Sequence, residues 1–256
     1  MVNAERDTKF QVIGTRPIRH DGVEKVTGRA QYSNDVQVPG TISGKILRSP
    51  YAHARIVAID TRKAAALPGV RAVVTGAELP FASGRATTDG AEGYWNPQHL
   101  SLNALAHEKV LFRGHAVAAV AADTPHLAEQ ALSLIEVAYE VLPPVLDGIE
   151  AMAPDAPVVL GQLGGPVRGL RPELGTRYGE NVASTFVLDI GDLYHGFALA
   201  DVTLEHDYHT GAAHQGYIEP QCTTAAWSPD GQLTIWGSSQ GHFNIRDLTA
   251  AILGLP

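Results

Sequence analysis

Apolar and polar positions begin to alternate at Thr41, and the run from Thr41 to Arg48 predicts a strand, as does the run from Arg55 to Asp60. Thr61 to Leu67 follows as a short helix, Pro68-Gly69 stops it, and Val70 to Thr75 forms a third strand. Ahead of this pattern, residues 1 to 40 carry no period. Arg16-Pro17, Gly22, Gly28-Arg29 and Pro39-Gly40 punctuate short apolar stretches, which predicts an irregular arm ending in a turn. From Phe81 to Glu108 the chain is rich in Gly, Ala, Ser, Thr and Asn, and we expect a long surface excursion there. Strands return at Lys109 to Phe112 and Ala116 to Ala122. The clearest helix comes next, with Thr124 as N-cap, Pro125 in the first position, and Leu127, Ala131, Leu134 and Ile135 on one face. Val137, Tyr139 and Val141 then alternate as a strand that Pro143-Pro144 ends.

Between Pro143 and about Ala183 the composition shifts to Pro, Gly and small residues, and the period disappears. A domain boundary is expected here. Beyond it, Thr185 to Ile190 is expected as a strand, Gly191-Asp192 as the cap of a helix to about Leu199, and Val202 to Thr210 and Tyr217 to Trp227 as further strands. Ser228-Pro229-Asp230-Gly231 has hairpin-turn chemistry. Leu233 to Ser239 should be a buried strand that delivers Gln240 at its carboxyl end, before an amphipathic helix stopped at Gly254.

With 256 residues and 45% hydrophobic content the chain can bury a substantial core. Its formal net charge of -8 offers no basic patch, which argues against nucleic acid and anionic membranes as partners. The polar N-terminus lacks a secretion signal and no apolar run is long enough to span a bilayer, so a cytoplasmic protein is expected. One cysteine, Cys222, cannot hold an iron–sulfur cluster or a cysteine-rich zinc site. We expect it to act as a small buried hydrophobe, because no activating base is indicated beside it.

His206, His209 and His214 invite a metal reading, but alternation along a strand would send His206 and His209 to opposite faces. Glu219, before Pro220 in an apolar stretch, requires a hydrogen-bonding partner and is expected as a paired structural carboxylate. Gln240 is the leading candidate for chemistry. Its neutral amide, both donor and acceptor, suits orienting a ligand, and Gly241 permits close backbone approach; the alternative is an ordinary cap for the next helix. There is no phosphate loop and no serine-hydrolase elbow. No complete active site is legible.

The stretch Asp21-Gly22-Val23-Glu24-Lys25-Val26-Thr27-Gly28-Arg29-Ala30-Gln31-Tyr32 resembles the molybdopterin-binding large subunit of the xanthine dehydrogenase and aldehyde oxidase family. So does Arg48-Ser49-Pro50-Tyr51-Ala52-His53-Ala54-Arg55-Ile56, followed by Asp60 and Leu67-Pro68-Gly69-Val70. Gly114 to Ala122 and Ile135 to Pro143 look like the rest of that family's hammerhead domain. Gly191-Asp192, Ala200-Asp201-Val202, His214, Ile218-Glu219-Pro220, Trp236 and Ser239-Gln240 look like the opening of its molybdenum-cofactor domain.

The resemblance implies an α+β fold: an N-terminal arm over 1–15, an α/β hammerhead domain over 16–147, a linker over 148–183, and over 184–256 the first part of a mixed α/β molybdopterin-binding domain. It implies an oxidoreductase of molybdenum hydroxylase type, oxidising or hydroxylating a small organic or one-carbon substrate, with the isolated chain inactive. Gln240 matches the family glutamine that hydrogen-bonds an oxo ligand of molybdenum, and Gly241 goes with it as cofactor-binding. No catalytic or metal-ligating residue is expected in this chain. The family's glycine-rich loop and catalytic glutamate have no counterpart before Pro256, so molybdenum-molybdopterin would be shared with a second molybdopterin-binding polypeptide. [2Fe-2S] and FAD would lie on an iron–sulfur subunit and an FAD subunit. A naturally split subunit and a truncated chain both fit, though an ending just past a helix cap favours a genuine end. The alternative function is a non-catalytic binding or assembly module that kept the hammerhead fold.

Overall fold

The computed structural model describes residues 11–79, 97–160, 181–182, 190–219 and 221–255. The chain divides into two compact units, one from Met1–Pro39 with Ala213–Gln240, the other from Gly40–Ala212 with Gly241–Pro256.

The larger unit is built on two three-stranded antiparallel sheets. β1 (Ser43–Arg48), β2 (Ala54–Asp60) and β3 (Val70–Thr75) occupy the alternating runs, with the short helix α2 (Arg62–Ala65) between the last two. After α3 (Pro97–Ala104) come β4 (Lys109–Val110), β5 (Ala116–Ala122), α4 (Pro125–Ser133) and β6 (Glu136–Val141). One sheet has the order β1-β5-β3 and the other β4-β2-β6. The almost uniformly apolar β5 is explained by where its two faces go. Ala118, Val120 and Ala122 enter a core with Ala64, Ala128, Ala131 and Ile135, whereas Val117 enters a second core with Ala54, Ala106 and Val110. Ala118 and Ala122 on β5 with Ala128 and Ala131 on α4 bring strand and helix close together, and all four are fully buried.

α4 begins as its residues dictate. The Thr124 hydroxyl accepts the Leu127 amide at 3.2 Å, and Pro125 takes the first position, where a missing N–H costs nothing.

The expected surface excursion over 81–108 is corrected in its last part; residues 80–96 lie outside the description. α3 forms, and Ser101, Leu105 and Ala106 are buried. Composition concealed this element because it is held by tertiary contacts, with the helix His242–Leu253 and with His115. That imidazole is fully buried and accepts the Leu111 amide on Nδ1 at 3.1 Å. It must therefore carry its proton on Nε2, which donates to the Leu102 carbonyl at 2.8 Å. Leu102 lies in the last turn of α3, where carbonyls lack helical partners, so the histidine caps the helix from outside. Gly76 fits the same region because a Cβ there would stand 2.3 Å from the Ala106 carbonyl oxygen.

In the smaller unit the irregular arm is corrected by α1 (Gly22–Val26), a single helical turn with nothing buried. A 3₁₀ turn follows at Ser33–Asp35. β7 (Thr223–Trp227) and β8 (Leu233–Gly237) form the hairpin predicted around Ser228 to Gly231. The turn is closed by Gly231 N–H to the Ser228 carbonyl at 3.0 Å, with Gly231 at φ 87°, and by the Ser228 hydroxyl on Asp230. β8 is not the buried strand expected: its residues are half-buried or exposed, since among the described residues the ribbon has only two strands.

Further along the larger unit, α5 (Leu193–Leu199) starts where expected, with Asp192 accepting the His195 amide at 2.9 Å. The strand expected at Val202 to Thr210 does not form, and the one expected from Tyr217 starts at Thr223. Residues 202–218 belong to no helix, strand or turn, and every residue from 190 to 219 is exposed. Periodicity supplies a strand's faces but not the neighbour it must bond to. The strand expected at Thr185 to Ile190 falls, except for Ile190, outside the described residues. α6 (His242–Leu253) closes on Gly254 in the left-handed region at φ 66°, as the sequence required.

Candidate functional site

Gln240 follows β8 directly, and its side chain is exposed. The N-cap position of α6 belongs to Gly241, with extended backbone and no side-chain cap, so Gln240 stands one residue outside the helix. Its neutral amide, both donor and acceptor, is thus not spent on the ordinary N-cap role. Gly241 is tight against its own helix, because a Cβ there would come within 3.2 Å of the Asn244 amide nitrogen.

Two residues before Gln240, Ser238 organises the smaller unit. Its hydroxyl donates to the Glu219 carboxylate at 2.7 Å and lies 2.9 Å from the Ser33 hydroxyl. Ser238 has one proton and spends it on Glu219, so Ser33 is the donor in the second bond. A relay therefore runs Ser33 to Ser238 to Glu219. It ties the N-terminal arm to the hairpin that leads into Gln240. Glu219 is the paired carboxylate expected, whereas Ser33 and Ser238 escaped sequence reasoning: isolated serines separated by 205 positions carry no local signal.

The histidines do not assemble. His214 Nδ1 accepts the Gly216 amide at 3.0 Å, and the His206 ring lies 6.1 Å from that of Tyr208. The alternation argument against their convergence lapses with the missing strand, but among the described residues no three His, Cys, Asp or Glu side chains are grouped to hold a metal. Cys222 is a free thiol, half-buried rather than enclosed. A shallow groove lies far along the chain, lined by Pro144, Val145, Glu150, Ala153, Asp155 and Pro157, and it brings no catalytic set together. No described helix is long and apolar enough to cross a membrane.

Residues 27–143 match the family described as aldehyde oxidase and xanthine dehydrogenase, a/b hammerhead domain, and residues 176–256 match the molybdopterin cofactor-binding domain. The chain belongs to the xanthine dehydrogenase and aldehyde oxidase family. It is 35% identical to the carbon monoxide dehydrogenase large chain of Afipia carboxidovorans, covering 99% of this chain and 30% of that one. It is 29% identical to the nicotinate dehydrogenase large molybdopterin subunit of Eubacterium barkeri, over 96% of this chain and 52% of the relative. The structure superposes on the Cu,Mo-CO dehydrogenase in its carbon monoxide reduced state with a TM-score of 0.73 and 33% identity, covering 95% of this chain and 30% of that chain. The chain thus spans about a third of the carbon monoxide dehydrogenase large chain. The hammerhead domain followed by the start of a molybdopterin-binding domain is the fold that the sequence resemblance implied.

A molybdopterin would find in the described residues one fitting edge and no more. Gln240 offers an exposed neutral amide, suited to a hydrogen bond with an oxygen of the group. The described residues supply no metal-ligand set.

Proposed function

We propose that this chain forms one part of the molybdopterin-binding portion of a molybdenum hydroxylase-type oxidoreductase that oxidises a small organic or one-carbon substrate. The observation that carries the reading is the succession of hammerhead and molybdopterin-binding matches on one chain, with Gln240 exposed at the junction of β8 and α6. We assign the hammerhead domain to 16–147 and the partial cofactor domain to 184–256, joined by the linker 148–183.

When bound, molybdenum-molybdopterin supplies two-electron oxidation of the substrate. This chain's contribution is positional. Gln240 holds a polar atom of the group by hydrogen bonds that do not change with pH, and Gly241, where a Cβ would crowd Asn244, carries the backbone onward from it. The Ser33–Ser238–Glu219 relay fixes the hairpin end from which Gln240 projects. The base and the remaining cofactor contacts come from a second molybdopterin-binding polypeptide, with electrons leaving through [2Fe-2S] and FAD centres on further subunits, in the cytoplasm.

Native-host purification tests this. The expected result is stoichiometric molybdenum and pterin with co-purifying subunits. A chain that emerges alone and metal-free, with no oxidoreductase activity, overturns the reading in favour of a non-catalytic module.

A further inference from the structure

In the larger unit, the loop that follows β1 and the turn that follows β4 are bound to each other by backbone. The Ser49 amide donates to the His115 carbonyl and the Gly114 amide to the Ser49 carbonyl, both at 2.9 Å, and Arg48 Nη1 donates to the Gly114 carbonyl at 2.9 Å. This brings Arg48 and Tyr51 of the first segment to Phe112 and Arg113 of the second.

Both rings are exposed yet fixed. Phe112 is 47% exposed and stacks at 4.5 Å on the buried His115 ring, whose two nitrogens are held by backbone. Tyr51 is 38% exposed, meets the Tyr139 ring edge-on at 5.2 Å, and has its own amide and carbonyl bonded to the buried Ser49 hydroxyl. Aromatic surface offered in one set conformation loses little rotamer freedom on being covered, which is how binding hot spots are built.

Charge selects the occupant. Arg48 and Arg113 are exposed and take part in none of the described ion pairs, on a chain whose formal net charge is -8. Guanidinium groups beside exposed rings match a carboxylate with a neighbouring apolar side chain. We propose that Arg48, Tyr51, Phe112 and Arg113 form a docking surface for an acidic segment of another protein chain, its carboxylates on the two guanidiniums and its apolar side chain against the rings. Two arginines fall well short of the phosphate-neutralising field that nucleic acid requires. A symmetric pairing of this surface with itself would set arginine against arginine. The inference goes beyond the cofactor reading and does not depend on it, because all four residues lie in the hammerhead match and none in the molybdopterin-binding match.

The assembly purified from the native host provides the test. Arg113→Lys keeps the charge and introduces an amine that a carbodiimide can join to a touching carboxylate. Mass spectrometry should find position 113 linked to an Asp or Glu of a different polypeptide, and the full chain is then titrated against that polypeptide. Arg113→Glu should weaken the association at least about tenfold at low salt, with the loss shrinking as salt is raised and the melting of the lone chain unchanged. Phe112→Leu keeps an apolar cover on His115 while removing the ring, and should weaken the association at least about threefold at every salt concentration.

Wild-type affinity in both Arg113→Glu and Phe112→Leu overturns the proposal. So does a crosslink confined to this chain or to a second copy of it, a chain that emerges from its host as a monomer, or a complex that nuclease treatment dissolves. An assembly holding molybdenum and pterin in which both variants bind as the wild type does removes the docking surface and leaves the cofactor reading intact. A metal-free assembly with the crosslink in place removes the cofactor reading and leaves the docking surface standing.

Discussion

The Ser238 hydroxyl donates to the Glu219 carboxylate at 2.7 Å, linking the end of the β7–β8 hairpin to the chain that approaches it. Ser238 also accepts from Ser33, so removing it breaks two bonds, whereas removing Ser33 breaks one. Ser238→Ala should destabilise the smaller unit by about 0.5–1.5 kcal/mol, at the modest end because water reaches Glu219. Ser33→Ala on that background should add less than it does alone, as expected of members of one network. Denaturant titration followed by Trp227 and Trp236 fluorescence checks both. Fully additive losses would show the relay is not a unit.

Burial pushes the His115 imidazole below its ordinary pKa of about 6.5, although its bonds to backbone partially offset the shift. The unfolded chain therefore takes up a proton at a pH where the folded chain still refuses it, so stability rises with pH across that interval. Hammerhead stability should be complete above about pH 6.5 and fall as the pH is lowered from there toward the depressed folded value. His115→Phe should retain the stacking volume against Phe112, lose about 1–3 kcal/mol from the stranded Leu111 amide and Leu102 carbonyl, and flatten that pH dependence. Melting curves from pH 5 to 8 provide the comparison. An unchanged slope in the variant would place the titration elsewhere.

Gly76→Ala should cost about 1–3 kcal/mol despite adding one methyl group. The obstacle is the Ala106 carbonyl, a backbone atom that cannot rotate aside as a side chain would. Gly44→Ala is the matched control, because a Cβ at Gly44 meets nothing within 4 Å. Equal thermal shifts for the two would contradict the close approach.

Gln240→Ala should leave the stability of the chain alone unchanged, because the side chain is exposed and lies outside the helix cap. In the assembled enzyme it should reduce turnover by one to two orders of magnitude, corresponding to about 1.5–3 kcal/mol for one oriented polar contact. Steady-state kinetics at matched molybdenum content decides it. Wild-type turnover would remove Gln240 from the site.

Local signals were enough for the elements whose partners lie within the larger unit. β3 and β5 occupy the spans that alternation and apolar continuity required, and Thr124-Pro125 marks the start of α4 to the residue. α3 was missed because its hold is remote: a histidine eleven positions past its end satisfies its last carbonyls, and no periodicity in a Ser- and Asn-rich stretch announces that. The site divides in the same way. Glu219's need for a donor could be read from its apolar setting, but the donor's identity could not.

By itself, the sequence determined the strand faces, the capped helix ends and the hairpin turn, because each depends on residues within a few positions of one another. Tertiary structure alone decided that β5 serves two cores, that His115 carries its proton on Nε2, and that Ser33 reaches Glu219 through Ser238. These are contacts between groups far apart in the chain, whose energy depends on distance in space. The run 202–210 shows the same division from the other side: its residues alternate as those of a strand would, and no strand forms there, because a strand needs a neighbour to bond to.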